Sequence, residues 1–421
     1  MARHRHRADD ERQRWLDQGA RVNELVAEGA PKRVLFLTGT RADFGKLKPL
    51  ITKVKESPHF EYQIFATGMH MLARYGSTVN EIKKAGFDHV FSFINQNHAI
   101  GSQMDLVLAN TVQGLSLYLR EFPADLIVIH GDRVEALAGA IVGALNNVLV
   151  AHVEGGELSG TVDELIRHAV TKLSHLHFVS HEEARRRLIQ MGEAPESVYV
   201  IGSPDIDIML SGELPALAEV LDKYSIGFVD YGIAMYHPVT TEQSALPAHA
   251  DAFVEGLIGS NRNFVVIYPN NDAGSDVILQ RVLELSHHPR FRLIPSMRFE
   301  YFLTLLKHAR AIVGNSSAGI CEAPVFGVPT VNVGTRQTNR FLYPSIVNVA
   351  DDAAAITRAL GSLPQAVPPS LHFGKGNSAA LFVSHLATRE LWSTPRQKLF
   401  RELSLRLSGR PSMVVPAPLP V

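Results

Sequence analysis

Short apolar runs alternate with helical stretches along the first half of the chain. The apolar runs begin at Arg33 and are RVLFLTG, YQIFATG, DLIVIHGD, NVLVAHVEGGE, LHFVSH and VYVIGS. Parallel strands need long crossover connections, and the helices in these connections cover both faces of the sheet. The alternation therefore predicts a doubly wound α/β domain that ends near Ile206.

The same alternation restarts after Ile206. Its apolar runs are GIAMYHPVT, NFVVIYPNND, FRLIPS, AIVGNSS and PTVNVG, and helices are predicted from about Glu242, from Ser275, over 300–308 and directly after AIVGNSS. Two such units in tandem are typical of two Rossmann-like halves that face each other across a cleft. In that arrangement, ligands bind at the carboxyl ends of the strands.

The segments outside these two units set the predicted domain boundaries. Residues 1–31 combine many charged side chains with apolar residues at helical spacing, which predicts an N-terminal extension with one amphipathic helix. The first domain is predicted over 32–206 and the second over 207–375. A helical segment is predicted over 376–400, and the proline-rich end predicts a flexible tail over 401–421.

Composition narrows the classes of partner. The 421-residue chain is 46% hydrophobic and 20% charged, and its formal net charge of −1 gives no bulk attraction to nucleic acid or to an anionic membrane. No apolar run approaches the length needed to span a bilayer. The single cysteine, Cys321, excludes an internal disulfide framework and favours the reducing cytoplasm. We therefore expect a small-molecule partner, and a packing role for Cys321.

Arg41 is the first candidate site residue, in the loop GTRADFGK at 39–46. This loop has neither the glycine spacing of a dinucleotide site nor that of a P-loop. A guanidinium group can bind two oxygen atoms at once, which predicts that Arg41 clamps a phosphate or a leaving group. The alternative is an ordinary ion pair between Arg41 and a nearby carboxylate.

Carboxylates follow two successive apolar runs of the first domain. Asp132 and Glu154 each come directly after such a run, and Asp163 lies in the segment that follows. Strand ends would place these residues at the floor of the cleft, where crowding is expected to raise the pKa of one carboxyl group and suit it to proton transfer. For Asp163, the spacing fits an i,i+4 surface ion pair with Arg167 equally well.

Histidines accompany these carboxylates. His130 and His152 fit a catalytic role and a role as satisfied core or rim residues about equally well. The sequence has no Cys/His metal-ligand spacing, so neither a metal nor another cofactor is expected.

The second half carries a different set of polar residues at its strand ends. The stretch GNSSAGICE at 314–322 follows an apolar strand and is predicted to begin a helix, whose free N–H groups and serine hydroxyls would form an anion site. Glu322 would repel a phosphate but can accept two ribose hydroxyls. The combination predicts a nucleoside diphosphate, which His237 and Arg41 neutralise from the two sides of the cleft.

These stretches together closely resemble the UDP-N-acetylglucosamine 2-epimerase family, and most of all its hydrolysing branch. The matching stretches cover roughly residues 33–390 in order: GTRADFGKL, ATGMHMLARYG, HGDRVEALAGA, HVEGGELSGTVDELIRHAVTKLSH, YHPVTTE, PNNDAGS, GNSSAGICEAPVFGVPTVNVGTRQ and GKGN. The resemblance implies the GT-B architecture, in which two Rossmann-like domains are joined by a C-terminal helix that crosses back onto the first. It also implies a UDP site in the second domain, catalytic carboxylates in the first, and a homodimer.

The resemblance also implies a role for individual residues. The implied catalytic residues are Asp132, Glu154, Asp163 and His237. The implied substrate contacts are Arg41, Arg133, Arg167, His237, Asn270, Met297, Ser316, Ser317, Glu322 and Arg336, and Met297 would contact uracil through its backbone. Two positions depart from the family pattern. Gly45 stands where the hydrolysing branch often has serine, and MHMLAR keeps only His70 of the Gln-His-Arg-Glu stretch that accompanies an activator site in the non-hydrolysing branch.

The implied reaction inverts carbon 2 of UDP-N-acetylglucosamine. Anti elimination of UDP would give 2-acetamidoglucal, and addition of water would release N-acetylmannosamine beside UDP. The alternatives left open are return of UDP to give UDP-N-acetylmannosamine, the same chemistry on a UDP- or GDP-linked diacetamido-sugar, a GT-B glycosyltransferase and a non-catalytic nucleotide-sugar sensor.

Overall fold

A seven-stranded parallel sheet forms the first half of the fold. The structure is a computed structural model that describes residues 30–97, 103–159, 162–270, 272–365 and 367–403. The strands are β1 (Lys32–Thr38), β2 (Phe60–Ala66), β3 (Val90–Ser92), β4 (Leu126–His130), β5 (Leu149–Val153), β6 (Leu176–Val179) and β7 (Val198–Val200). They lie in the order β3-β2-β1-β4-β5-β6-β7. With its helices, this sheet is the first lobe.

Helices cover both faces of this sheet. They are α1 (Arg41–Glu56), α2 (Val79–Lys84), α3 (Met104–Glu121), α4 (Val134–Leu145), α5 (Val162–Leu173) and α6 (Glu182–Gln190). Alternate side chains of β1 enter two different cores: Val34 and Phe36 pack with α1, whereas Leu35 and Leu37 pack with α3 and α4. A strand that is buried on both faces reads as a continuous apolar run, which is the pattern in the sequence.

A six-stranded parallel sheet forms the second lobe. Its strands are β8 (Gly232–Met235), β9 (Phe264–Ile267), β10 (Phe291–Ile294), β11 (Ile312–Gly314), β12 (Thr330–Val333) and β13 (Ile346–Val349), in the order β10-β9-β8-β11-β12-β13. The connection from the first lobe carries α7 (Pro204–Leu210) and α8 (Leu217–Lys223). The later helices of this lobe are α9 (Leu246–Gly259), α10 (Ser275–Leu283), α11 (Phe299–His308) and α12 (Ala353–Gly361).

The C-terminal helix returns to the first lobe. Phe382 and Leu386 of α13 (Ser378–Leu386) and Leu391 of α14 (Arg389–Trp392) are buried in the same core as α1. Asp207 of α7 fixes the start of α13, because its two carboxylate oxygens accept the first backbone N–H groups at 2.8 Å. The predicted GT-B architecture, with two doubly wound sheets and a C-terminal helix that crosses back, is confirmed.

The boundaries of several elements differ from the sequence-based expectation. The two strands that were not predicted, β3 and β13, each lie at one edge of their sheet, and they are short and partly exposed. The helix predicted after AIVGNSS was wrong: Ser317–Gly319 and Ala323–Phe326 form two separate short 3₁₀ turns. Within the range predicted as one helix over 376–400, α13 and α14 are separate, and residues 393–403 continue without a helix.

The predicted N-terminal helix and most of the predicted tail lie outside the described residues, at 1–29 and 404–421. In the ranges that are described, no helix is long and apolar enough to cross a membrane.

Candidate active site

A cleft of about 360 Å³ lies between the carboxyl ends of the two sheets. Nearly all of the predicted site residues line it. From the first lobe these are Arg41, Asp132, Arg133, Glu154 and Arg167, and from the second they are His237, Asn270, Met297, Ser316, Ser317, Glu322 and Arg336. The exception is Asp163, which lines a smaller neighbouring cavity together with Asp132 and Arg133.

Glu154 is held in a strained backbone conformation at the end of β5. Its φ angle is +63°, a left-handed value that non-glycine residues rarely adopt, and its N–H donates to Phe178 O at 2.9 Å. The carboxylate accepts hydrogen bonds from Ser203 Oγ and from His130 Nε2, the latter at 3.0 Å. The Lys46 ammonium lies 3.4 Å from the same carboxylate. The surrounding donors thus fix both the position and the charge of Glu154.

His130 bridges two carboxylates. Its Nε2 faces Glu154, and its Nδ1 lies 3.2 Å from Asp43 Oδ1. Because both ring nitrogens face acceptors, both carry hydrogens and the ring is an imidazolium. Burial opposes this charge, but Glu154 and Asp43 raise the pKa of His130 from 6.5 to about 10. Of the two roles left open for His130, this contact with a candidate catalytic carboxylate favours the functional one.

Asp132 follows β4 and pairs with Arg167 of α5. Burial would raise the pKa of Asp132, but Arg167, Arg340 and Arg336 outweigh burial and hold it below its usual range. For Glu154, burial acts in the same way, and Lys46 and His130 outweigh it, so that the pKa lies well below the usual range. The expectation that crowding raises one of these two pKa values was wrong, since each carboxylate has its own cations.

Asp163 contacts the second lobe. Arg336 Nη2 donates to its Oδ2 at 3.3 Å, while Arg336 Nη1 donates to Asn315 O at 3.3 Å. Arg167, the alternative partner that the spacing suggested for Asp163, contacts Asp132 and Glu157 O. Asp163 and Arg167 of α5 therefore contact different partners.

Arg41 contacts residues of both lobes. Its Nη2 donates to Glu81 at 2.6 Å, and its Nη1 donates to Ser296 of the second lobe at 2.7 Å. Arg41 begins α1, whose N-cap is Thr40, and Asp43 Oδ2 accepts Gly39 N–H at 2.9 Å in the same turn. Arg41 therefore forms the ion pair that the alternative predicted. It also lines the cleft, and its role as a phosphate clamp stays a prediction.

His237 is clamped by Asn315. The side chain of Asn315 accepts His237 N–H at 2.7 Å and donates to His237 O at 2.8 Å. Gly314, with φ of +129°, makes this approach possible, since a Cβ there would lie 1.9 Å from Met235 O. The Gly-Asn pair at the end of β11 thus positions a histidine that follows the neighbouring strand β8.

The imidazole of His237 is neutral. Its Nδ1 accepts Asn270 N–H at 3.1 Å, which leaves the ring proton on Nε2. Burial, with Arg336 and Arg133 nearby, lowers its pKa from 6.5 to about 3. His237 therefore offers a hydrogen-bond donor through Nε2, and its role in neutralising a diphosphate stays a prediction.

The double-serine turn lies beside His237. Ser316 precedes the 3₁₀ turn at Ser317–Gly319, and its Oγ accepts Ala318 N–H at 3.3 Å. Both serines line the cleft, whereas Ala318 and Gly319 are buried. The turn is too short for a helix dipole, so any anion binding here depends on local N–H and hydroxyl groups.

Lys46 and Asp205 were missed by sequence reasoning. The Lys46 ammonium lies 3.3 Å from Asp205, 3.4 Å from Glu154 and 3.6 Å from Glu322. The basic residue in GTRADFGK was the signal for Lys46, but no pattern marked Asp205. Burial, together with Asp205 and Glu154, raises the pKa of Glu322 to about 7 even though Lys46 lowers it.

Gly45 lies inside α1, close to the second lobe. A Cβ at Gly45 would lie 2.7 Å from Cγ of Phe299, at the start of α11. The departure from serine at this position therefore has a packing reason, because a side chain would separate the two helices.

His152 and Cys321 are explained by packing. His152 is fully buried, with Nε2 2.8 Å from Gly131 O and Nδ1 3.1 Å from Thr171 Oγ1. Burial lowers the pKa of His152 from 6.5 to about 3. Burial raises the pKa of the Cys321 thiol well above its usual value, and the nearby Glu322 adds a smaller effect in the same direction. His152 is thus a satisfied core residue, and Cys321 is protonated.

Two groups of histidine and carboxylate side chains converge closely enough to consider a metal ion. They are His181, Glu183 and His372, and Glu242, His249 and Asp351. In the first group both His181 nitrogens already contact carboxylates, at 3.0 Å and 3.1 Å. None of these six residues lines the cleft, so we assign no metal to the candidate active site.

Comparison with known proteins adds to this geometry. The sequence model of the family described as UDP-N-acetylglucosamine 2-epimerase matches residues 52–387. A UDP-N-acetylglucosamine 2-epimerase from Neisseria meningitidis serogroup B is 46% identical over 379 residues, which are 89% of this chain and 100% of that protein. A UDP-N,N'-diacetylbacillosamine 2-epimerase (hydrolyzing) from Legionella pneumophila is 33% identical over 321 residues, which are 76% of this chain and 85% of that protein.

A solved structure shares the fold. The UDP-GlcNAc 2-epimerase of Methanocaldococcus jannaschii, in complex with UDP-GlcNAc and UDP, superposes with a TM-score of 0.68 at 19% identity, over 84% of this chain and 99% of that chain. At this identity the likeness shows the architecture alone. The family match, by contrast, spans most of the chain, and the Neisseria relative aligns over its whole length. This chain belongs to the UDP-N-acetylglucosamine 2-epimerase family.

Proposed function

We propose that the chain is a hydrolysing UDP-N-acetylglucosamine 2-epimerase, which produces N-acetylmannosamine and UDP. One observation carries the proposal. Asp132 and Glu154 of the first lobe line the same cleft as Ser316, Ser317 and Glu322 of the second lobe. A nucleotide-sugar that spans this cleft would place its sugar against the two carboxylates and its nucleotide against the double-serine turn.

The second lobe would hold the leaving group. Ser316 and Ser317, with Nε2–H of His237, would donate hydrogen bonds to the diphosphate, while Arg336 supplies positive charge. Glu322 would accept the two ribose hydroxyls, and the backbone of Met297 would contact uracil. These donors act on the charge that develops as the bond between carbon 1 and the phosphate oxygen breaks.

The first lobe would move the protons. The hydrogen on carbon 2 is only weakly acidic, but it becomes removable as positive charge develops at carbon 1. Asp132 would take this proton while the C1–O electrons leave with UDP and the C2–H electrons form the C1=C2 double bond of 2-acetamidoglucal. Glu154, which accepts a hydrogen bond from the His130 imidazolium, would then pass a proton to the opposite face of carbon 2.

Addition to carbon 1 completes the reaction. A water molecule would attack carbon 1 as carbon 2 is protonated, and its released proton would pass to a carboxylate of the cleft. This chain keeps only His70 of the Gln-His-Arg-Glu stretch that accompanies the activator site in the non-hydrolysing branch, which supports the hydrolysing route. A related substrate has support of its own, because the Legionella relative at 33% identity is a hydrolysing epimerase of a UDP-linked diacetamido-sugar. We also propose a homodimer, in line with the expectation from the family.

The experiment is an NMR analysis of the protein incubated in deuterated water with UDP-N-acetylglucosamine and no acceptor. We expect N-acetylmannosamine that carries deuterium at carbon 2, together with free UDP. UDP-N-acetylmannosamine would instead indicate return of UDP, and product without deuterium would exclude the elimination route. If the sugar keeps its stereochemistry, the same analysis with a UDP-diacetamido-sugar tests the second substrate, and failure of both would refute the proposal.

A further inference from the structure

Asp205 is a buried carboxylate that the proposed reaction does not use. It lies on α7, between the two lobes, with no exposed surface, and it does not line the cleft. Neither of its carboxylate oxygens accepts a hydrogen bond from any residue in the described ranges. The Lys46 ammonium lies 3.3 Å from Oδ2 as an ion-pair partner, but Oδ1 is buried with no donor in the described ranges. A buried acceptor of this kind is costly and calls for an explanation.

The surroundings of Asp205 suggest where the missing hydrogen is. Glu322 Oε2 is also buried without a hydrogen-bond partner among the described residues. A proton on Glu322 would let this carboxyl group donate to Asp205, and that hydrogen bond favours the neutral form of Glu322. One shared proton would therefore satisfy both buried side chains.

The local charges support the same assignment. The Lys46 ammonium is surrounded by three carboxylates, those of Asp205 and Glu154 on one side and that of Glu322 on the other. Cys321 also faces Glu322, and its thiol is protonated and uncharged. The His130 imidazolium also contacts Glu154, but its second nitrogen faces Asp43, so two cations meet four carboxylates. A proton on one of the acids therefore lowers the cost of burial.

We propose that Asp205 is a positioning residue that acts through Lys46 and Glu322. It holds the Lys46 ammonium between the lobes, and it accepts a hydrogen bond from the protonated Glu322. When a nucleotide enters, Glu322 loses this proton to solvent. The inference rests on the proposed nucleotide site. It links occupancy of the second lobe to Glu154, because the ammonium that contacts Glu322 also contacts this proton-transfer carboxylate.

The exchange follows from hydrogen-bond chemistry. An ionised carboxylate can accept both ribose hydroxyls, whereas a carboxyl group that donates to Asp205 has less accepting capacity left. Nucleotide binding should therefore release a proton at a pH where Glu322 is largely protonated. Since the pKa of Glu322 is about 7, this release should be largest below pH 7 and fade above it.

Calorimetric titration with UDP tests this inference. Each protein is titrated between pH 5.5 and 8.5 in pairs of buffers that differ in ionisation enthalpy, which gives the number of protons released. The variants are Asp205→Asn and Glu322→Gln. In Glu322→Gln, the protons released on binding come from UDP itself. Subtracting this number from that of wild type gives the number of protons released by Asp205 and Glu322.

We expect the extra release to be present in wild type below pH 7. In Asp205→Asn its midpoint should move to lower pH by about one unit, because Glu322 loses a negative neighbour and a hydrogen-bond acceptor. Asp207→Asn is the matched control, since Asp207 lies on the same helix but caps α13. It should lower the melting temperature and leave the proton release unchanged. Superimposable release in wild type and Asp205→Asn would overturn the inference.

A second test uses the route through Lys46. Asp205→Asn alone should weaken UDP binding at pH 8.5 about tenfold, since Lys46 loses its fixed counter-charge. In a Lys46→Met background, the same substitution should change affinity by less than about threefold. Full additivity would show that Asp205 does not act through Lys46. Circular dichroism of all variants identifies any loss that comes from misfolding.

These titrations also separate the inference from the proposed function. UDP binding needs no turnover, so a chain that shows the expected proton release but leaves carbon 2 unchanged would refute the epimerase proposal alone. If the protein is an active epimerase and its proton release is unchanged in Asp205→Asn, only the inference is refuted. A wild-type chain that does not bind UDP would overturn both.

Discussion

Arg336 of the second lobe donates a hydrogen bond to Asp163 of the first lobe, with 3.3 Å between Nη2 and Oδ2. The same guanidinium donates to Asn315 O, next to the double-serine turn. A cation proposed to bind the diphosphate is therefore paired with an acid from the opposite lobe. A nucleotide has to compete with Asp163 for this guanidinium.

Asp163→Asn should release Arg336 from this competition. We expect UDP to bind about 3- to 10-fold more tightly, which corresponds to about 1 kcal/mol for one hydrogen bond to a charged group. Turnover should fall in the same variant if Asp163 contributes to catalysis. Calorimetry with UDP measures the first effect, and Glu182→Gln, an exposed helix carboxylate, controls for the loss of a charge. Unchanged or weaker UDP binding would show that Asp163 does not restrain Arg336.

The contact between Gly45 and Phe299 predicts a strong effect of one methyl group. A Cβ at Gly45 would lie 2.7 Å from the Phe299 ring, so Gly45→Ala should force α1 and α11 apart. We expect a loss of about 1–3 kcal/mol in the free energy of unfolding, measured by urea denaturation. Gly361→Ala is the matched control, because it also lies in a helix and nothing lies within 4 Å of its Cβ position. The truncation Phe299→Leu should recover part of the loss, and equal stability of both alanine variants would refute this account.

Much of the fold could be predicted from the sequence because the inner strands are buried on both faces. Such strands read as continuous apolar runs, as β1 does with Val34 to Leu37. The edge strands β3 and β13 lack this signal because none of their side chains is fully buried, whereas the edge strands β7 and β10 each keep buried residues. The helix after AIVGNSS was mistaken because the sequence pattern does not distinguish an α-helix from successive 3₁₀ turns.

The site could be predicted in part, since the carboxyl ends of parallel strands meet in one cleft. Asp132, Glu154 and His237 each follow a strand directly, so their position was visible in the sequence. Lys46 and Asp205 lie on helices and meet Glu322 only through the packing of the two lobes. The direction of a pKa shift depends on such partners, which explains why the expectation for the cleft carboxylates was wrong.

The charge on His130 predicts a pH dependence of stability. Its pKa is raised from 6.5 to about 10, so the folded protein keeps a proton that the unfolded chain releases as the pH rises above 6.5. Its contribution is therefore complete below pH 6.5 and is lost toward pH 10, with a slope of at most about 1.4 kcal/mol per pH unit. Urea denaturation between pH 6 and pH 9.5 should show this decline in wild type and a shallower one in His130→Gln. His168→Gln, at an exposed helix position, should keep the wild-type slope, and equal slopes in all three proteins would contradict the assignment.

The neutral state of His237 predicts how activity responds to pH. Since its pKa is about 3, the loss or gain of its proton should contribute no limb between pH 5 and pH 9 to the kcat/KM profile, which reports groups of the free enzyme. His237→Asn should lower kcat about 100- to 1,000-fold, because one donor to the leaving diphosphate is lost. This loss should be the same at each pH. A limb near pH 6.5 that is present in wild type and absent from the variant would show that His237 acts as a cation.

The amides of the two cleft carboxylates should each reduce activity and stability. Asp132→Asn and Glu154→Gln should each lower turnover by at least about 100-fold if both transfer protons. Both should also lower the melting temperature, because Asp132→Asn removes the carboxylate that pairs with the buried Arg167, and Glu154→Gln removes one that His130 and Lys46 share.

The products that accumulate in each variant then separate the roles of Asp132 and Glu154. If Asp132 removes the proton from carbon 2, Asp132→Asn should accumulate neither free UDP nor glycal. If Glu154 delivers the second proton, Glu154→Gln should still release UDP and accumulate 2-acetamidoglucal, which NMR detects directly. Glu157→Gln is the control, since Glu157 lines the same cleft but pairs with His181. Near-normal turnover in either amide variant would remove that residue from proton transfer, and glycal in Asp132→Asn alone would reverse the two assignments.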